Sequence, residues 1–287
     1  VNSFTLNDTA LKVGDNATVT LVFSEAVISF SSSTDITVDN GSLATMTSTD
    51  NITWTGTFTP TADIEDDNNT LALATSYTDT AGNTGPVVTT ANYTIETLAP
   101  SVSSFTLSDT VLKVGDNATV KLVFSEAVAS FSSSADITVA NGTLATMSSS
   151  DNITWTGTFT PTADIEDASN TLSLSTSYSD TAGNTGASAT TANYAVETLA
   201  PTLSSIVISS ATGIQDNFLN SGDNVSVHAT FSESTIVDNA SGTPTLTIVV
   251  GSNDRTATYS SGDNSTTLVF KYTIQAGETD SDGISIG

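Results

Sequence analysis

Residues Val1–Pro100 realign on Val102–Pro201 without a gap at an offset of 101 positions, with about 80 of 100 positions identical. Leu11 to Val19 recurs as Leu112 to Val120, Phe23 to Val27 as Phe124 to Val128, and Asn51 to Asp66 intact as Asn152 to Asp167. A diverged third copy opens near Thr202: Ser221-Gly222-Asp223-Asn224-Val225 matches the Gly-Asp-Asn stretch, and Phe231-Ser232-Glu233 matches Phe23-Ser24-Glu25. The copies meet at Glu96-Thr97-Leu98-Ala99-Pro100 and at Glu197-Thr198-Leu199-Ala200-Pro201. Such short proline-containing joints are stiffer than a Gly/Ser linker. Three domains follow, at 1–97, 98–198 and 199–287. The third is expected to lack its last strands, because it stops before any counterpart of the Ala81-Gly82-Asn83 turn. Opening in mid-pattern at Val1, the chain reads as an excised fragment.

The pattern within a copy is β. Ala17, Val19, Leu21 and Phe23 alternate with Thr18, Thr20 and Val22, and Ile52, Trp54, Gly56 and Phe58 alternate with threonines. That is the period of a strand with one buried face. No helical stripe exceeds one turn. About seven short strands per ~100 residues point to an immunoglobulin-like sandwich. In copy one the strands are expected near 3–11 (A), 17–25 (B), 34–39 (C), 42–48 (D), 52–61 (E), 70–79 (F) and 87–95 (G). Asn40-Gly41 and Asn141-Gly142 have the composition of two-residue hairpin turns.

Composition removes whole classes of function. Thirty-one Asp/Glu face five Lys/Arg, a formal net charge of -26. Phosphate recognition needs basic patches, so nucleic acid is excluded as a partner and an anionic membrane surface is disfavoured. With no cysteine there is no disulfide, thiolate metal site or thiol nucleophile. No run of ~18 apolar residues and no basic-then-apolar leader is present, so neither membrane insertion nor a cleavable leader is expected.

The motifs Gly-Asp-Asn-Ala-Thr-Val, Phe-Ser-Glu-Ala-Val, Trp-Thr-Gly-Thr-Phe-Thr-Pro-Thr-Ala-Asp, Asp-Thr-Ala-Gly-Asn-Thr-Gly and the closing Glu-Thr-Leu-Ala-Pro occur in both close copies. They resemble the bacterial Ig-like domains strung in tandem through giant RTX and biofilm-associated adhesins. The third copy is similar to a sister repeat of those proteins, through Ser209 to Gly213, Thr243-Pro244-Thr245-Leu246 and Asp282-Gly283-Ile284. The resemblance implies an elongated array of sandwiches on the bacterial cell surface, exported by type I secretion. It implies a monomeric chain whose partners are its own neighbouring repeats, with the adhesive ligand held elsewhere in the parent protein.

The fold sorts the carboxylates. In a seven-strand sandwich the A–B, C–D and E–F loops share one pole, and B–C, D–E and F–G the other. Stacking should bring Asp63, Glu65, Asp66 and Glu96 against Glu126, Asp180 and Asn184 at the first joint. At the second, Asp164, Glu166, Asp167 and Glu197 should face Glu233. Glu25, Asp79 and Asn83 occupy the opposite pole of copy one. Carboxylates so gathered repel, by about 1 kcal/mol per pair at ~4 Å in water and more when partly buried. Calcium is the matching cofactor, since it takes six to eight oxygens and needs neither His nor Cys. The plainer alternative is a solvated acidic surface suited to saline surroundings. Asp280 and Asp282 start like a calcium loop but lack its remaining spacing; they form a further candidate in the E–F connection of copy three.

The remaining candidates have simpler readings. Asp8 and Asp109 suit local hydrogen bonds rather than a metal. His228 belongs to the outward phase of a strand, far from the requirements of a catalytic triad. Trp54 and Trp155 share the inward phase with Phe58 and Phe159, as core residues rather than sugar platforms. Acid pairs recurring once per copy, without an aromatic cleft, do not suit glycoside hydrolysis. The expected function is non-enzymatic: a structural extender of an adhesin, supporting cell adhesion and biofilm formation. A glycan- or surface-binding module is the alternative.

Overall fold

A computed structural model describes all 287 residues, which form two compact units, Val1–Thr198 and Leu199–Gly287. The first unit holds repeats 1 and 2. In repeat 1 the elements are β1 (Ser3–Leu6), β2 (Ala10–Lys12), β3 (Ala17–Val22), the single helical turn α1 (Ser32–Asp35), β4 (Ile36–Val38) and β5 (Gly41–Leu43). They continue with β6 (Thr53–Pro60), β7 (Glu65–Asn69), β8 (Leu71–Leu73), β9 (Val88–Thr89) and β10 (Tyr93–Glu96). One sheet has the order β1-β3-β6-β5. The facing layer consists of β2-β10-β7 and β4-β8-β9. This is the sandwich expected from the alternation, with strands A, B, E and D on one side and C, F and G on the other.

The inward phase of each strand builds the core. Val19 and Leu21 of β3, Phe58 of β6, Leu71 and Leu73 of β8, and Tyr93 of β10 are fully buried. Phe58 meets Tyr93 edge-on, with centroids 5.3 Å apart. Each such side chain contributes roughly 1.5–3 kcal/mol of hydrophobic stabilisation. Trp54 lies in the same phase at the rim of this core, edge-on to Phe30 at 4.9 Å. Its alternation with exposed threonines makes it a packing residue.

Three expected details differ. Strand A does not stay in one sheet: β1 pairs antiparallel with β3, then the chain crosses and β2 pairs parallel with β10. The Asn40-Gly41 step joins no hairpin, because β4 pairs with β8 and β5 with β6. It is the corner between the two layers, and Asn40 takes the left-handed conformation there (φ 50°). Strand F starts at Glu65, not near residue 70, so Glu65, Asp66 and Asp67 lie in a strand against β10 rather than in a loop. An acidic run with no apolar phase hides this strand from the period-two reading.

Repeat 2 repeats the plan, with β11 (Val102–Leu107), β12 (Val111–Lys113), β13 (Ala118–Phe124), α2 (Ser133–Asp136), β14 (Ile137–Val139) and β15 (Gly142–Leu144). It closes with β16 (Thr154–Pro161), β17 (Glu166–Asn170), β18 (Leu172–Leu174), β19 (Ala189–Thr190) and β20 (Tyr194–Glu197). Asn141-Gly142 is again a corner and Glu166-Asp167 again strand.

The second unit is one six-stranded sheet: β21 (Leu203–Thr212), β22 (Asn224–Thr235), β23 (Thr245–Val250), β24 (Asn253–Ser261), β25 (Ser265–Thr273) and β26 (Ser285–Ile286), in the order β21-β22-β25-β24-β23-β26. β21 pairs antiparallel with β22 from Leu203 to Thr212, with register shifts between Leu203 and Ser205 and between Ile208 and Ser210. Val225, Val227 and Ala229 face the core while His228 is half-buried in the opposite phase.

Candidate metal centre and interlock between repeats 1 and 2

Two strands deliver the end of repeat 1 to repeat 2. Because β2 and β10 run parallel, Lys12 and Glu96 finish side by side. Repeat 2 answers with Glu126, just beyond β13, and with the turn Asp180 to Asn184 between β18 and β19. One carboxylate oxygen from each of Glu96, Glu126 and Asp180 lies within 4.8 Å of the others. Asp180 is 2% exposed and the two glutamates are half-buried. None of the three forms an ion pair with Lys or Arg; Arg255 pairs with Glu278 in the second unit.

Unbalanced charge at such a site favours the protonated form. Glu96 titrates above its ordinary range, first because burial strips its water and then because Glu65 and Asp180 repel its charge. Glu126 is raised in the same way, by burial and then by Glu96 and Asp180. The donor set is all oxygen. Two oxygens on one Ca²⁺ at about 2.4 Å can stand no further apart than about 4.8 Å, so the pairwise spacing of these carboxylates is compatible with such an ion.

Asn184 makes direct contact between the repeats. Its Oδ1 accepts the backbone N–H of Val13 at 2.9 Å, and its Nδ2 donates to the backbone carbonyl of Glu96 at 2.8 Å. The same Nδ2 donates to Asp180 Oδ2 at 2.7 Å, while Asp180 Oδ1 accepts the N–H groups of Gly183 and Asn184 at 2.6 and 2.8 Å. Asn184 is 2% exposed. It therefore works as a hydrogen-bonding link where sequence reasoning expects a ligand. The turn is compact because Gly183 adopts φ 95°, and a Cβ there would come within 3.3 Å of Lys12 Nζ.

The other candidate ligands lie outside this three-carboxylate group. Asp63 and Asp164 are exposed turn residues in the left-handed conformation (φ 58° each). Glu65 lies opposite Glu96 in the β7–β10 ladder, adding its field but staying outside the three-carboxylate group; Glu166 lies likewise opposite Glu197. Asp66 Oδ2 accepts Asn40 Nδ2 at 2.7 Å, and Asp167 Oδ2 accepts Asn141 Nδ2 at 2.8 Å, so both fasten the layer corner to strand F. Glu233 sits half-buried on β22 and Glu197 at the end of β20. Glu25, Asp79 and Asn83 are at the far pole of repeat 1, with Asp79 held low mainly by the Asn83 side-chain amide. Asp280 accepts the N–H groups of Asp282 and Gly283 at 3.2 and 2.9 Å and is held low foremost by that of Gly251; Asp282 is exposed. Asp8 and Asp109 accept the N–H two residues on, at 3.0 and 2.9 Å, as their local reading anticipates.

Sequence reasoning missed Lys12 and the Val13 amide. The available signal was that Lys12 and Lys113, two of only five cations, recur at matching positions. No helix is long and apolar enough to cross a membrane.

Among solved structures, the chain is similar to the I9-I11 tandem of titin at 8% identity, covering 99% of this chain and 95% of that one, with a TM-score of 0.31. It is similar to a Bacteroides ovatus mixed-linkage glucan utilization locus protein, SGBP-B, in complex with a mixed-linkage heptasaccharide, at 13% identity, 97% and 72% coverage and a TM-score of 0.19. The extracellular region of plexin A4 matches at 8% identity, 99% and 34% coverage and a TM-score of 0.27. No curated protein matches. The sequence profile described as bacterial Ig-like domain matches residues 2–95 and again 96–196, and with two consecutive matches over most of its length the chain belongs to the bacterial Ig-like domain family.

Proposed function

We propose that this chain is an extender segment of a large bacterial cell-surface adhesin, in which Ca²⁺ bound at the joint between repeats fixes one sandwich against the next. The observation behind this reading is the meeting of Glu96, Glu126 and Asp180 within 4.8 Å, drawn from both sides of one joint. A cation there would offset repulsion worth about 1 kcal/mol per pair in water and about 4 kcal/mol at a partly buried surface. Glu96 would bring the end of strand G, Glu126 the end of strand B and Asp180 the F–G turn, so the ion would tie three elements of two domains. Display outside the cell, export by the type I route, support of adhesion and biofilm, and the absence of a catalytic role complete the reading. Family membership supports it, since bacterial Ig-like domains are typical of extracellular and surface proteins.

Small-angle scattering on the full chain tests the proposal, with Ca²⁺ and then with chelator. The expected result is a longer and less variable particle with Ca²⁺, and loss of that difference in a Glu126→Gln, Asp180→Asn variant. Identical profiles in both buffers would defeat the cation reading. A glycan array on the same chain is expected to give no saturable hit.

A further inference from the structure

The turn that carries Asn184 has a counterpart in repeat 1. In repeat 1, Asp79 Oδ1 accepts the N–H groups of Ala81 and Asn83 at 2.8 and 2.9 Å, and Asn83 Nδ2 donates to Asp79 Oδ2 at 2.7 Å. Repeat 2 builds a closely similar turn around Asp180 and Asn184, with Asp180 Oδ1 accepting the Gly183 N–H in place of the Ala81-type one. The two turns differ in what lies beyond them. Asn184 turns its remaining hydrogen-bonding capacity onto the Val13 N–H and the Glu96 carbonyl, and both it and Asp180 are buried by that contact. Asn83 is exposed, and beyond its bond to Asp79 its side-chain amide makes no contact with another repeat. The turn borders a cleft of about 190 Å³ whose wall includes Phe23, Glu25, Tyr77 and Pro86.

We propose that the Asp79–Asn83 face of repeat 1 is a docking surface for the strand-G end of another module of this type. The recognised chemistry is one backbone N–H and one backbone carbonyl, presented side by side by two parallel strands that end together, as Val13 and Glu96 present them. Both contacts are to main chain. The surface therefore reads the arrangement of strands A′ and G in its partner rather than a side-chain signature. Asn83 is the specificity-determining residue, since its amide supplies an acceptor and a donor from one planar group. The bonds need no cation, so this docking stands apart from the role proposed for Ca²⁺.

The test uses the full chain carrying a further copy of residues 1–101 ahead of Val1, with the added copy segmentally labelled for NMR. Everything is measured in chelator, so that loss of the cation effect leaves the result untouched. The amide equivalent to Val13 in the added copy is expected to exchange as slowly as Val13 itself. It should speed up about ten-fold when Asn83 becomes Ala, the scale of one hydrogen bond. Asn83→Ala in the unextended chain measures any damage to the turn alone, and Asn184→Ala should release the Val13 amide as a positive control. An added-copy amide that exchanges equally fast with Asn or Ala at position 83 would overturn the proposal.

Discussion

Asn184 and Gly186 lie two positions apart, and the glycine explains how the asparagine is aimed. A Cβ at Gly186 would fall 2.2 Å from the ring of Tyr178, whose hydroxyl donates to the carbonyl of Ala187 at 2.7 Å. Ring and backbone are in contact, so the strand leaving the turn cannot drift. Gly186→Ala is therefore expected to cost repeat 2 ~1–3 kcal/mol through overpacking, read as a lower denaturant midpoint at unchanged slope. Gly85→Ala should do the same in repeat 1, where a Cβ would fall 2.1 Å from the Tyr77 ring. Asn141 shows the complementary case of a polar side chain whose value is geometric. At φ 49° it turns the layer corner, and its amide reaches Asp167 and Asn170 at 2.8 and 2.7 Å.

At the scale of elements, the strands with an apolar phase could be read from the sequence and the acidic one could not. Ala17–Val22 and Thr53–Pro60 carry alternation strong enough to locate both strand and inward face. Glu65–Asn69 has no such alternation; its place is set by pairing with β10 and by the buried Asn69, whose Nδ2 donates to the carbonyl of Tyr93 at 3.2 Å. Hence the placement of Glu96, Glu126 and Asp180 near one joint was legible from the strand pattern, whereas Asp66 belongs to a fastening that only the tertiary fold reveals. The same strands set an alkaline limit. Burial pushes Tyr93 up to about 12, assisted by Asp39 and Asp66, and burial with Asp167 does the same to Tyr194. The unfolded chain ionises these phenols near 10, so the stability they contribute is complete below pH 10 and is lost as pH rises towards 12. Base-induced unfolding followed by phenolate absorbance should accordingly begin above pH 10 and be steeper than in Tyr93→Phe, Tyr194→Phe.

At the scale of the whole molecule, the joint between repeats 1 and 2 responds to pH in the opposite range. Glu96 and Glu126 are raised above 4.5 in the docked state. A raised carboxyl contributes stability that is complete below its unfolded value and lost as pH rises through the folded one. Without a cation, docking should therefore be tightest below pH 4.5 and loosen towards neutrality. Added Ca²⁺ should matter most where both glutamates are ionised. Melting curves in chelator across this range, repeated with excess Ca²⁺, check both statements. A cation at a hundred times its dissociation constant adds about 2.7 kcal/mol if only the docked state binds it. The parallel pairing of β2 with β10 carries one last consequence. Three residue pairs, from Ala10 with Thr94 to Lys12 with Glu96, join the entering strand of a repeat to its leaving strand. A chain pulled from its two ends would load these bonds in shear, all together rather than one after another. Single-molecule pulling should show a high rupture peak for repeats 1 and 2, lowered by Leu11→Pro, which removes a ladder donor from that seam.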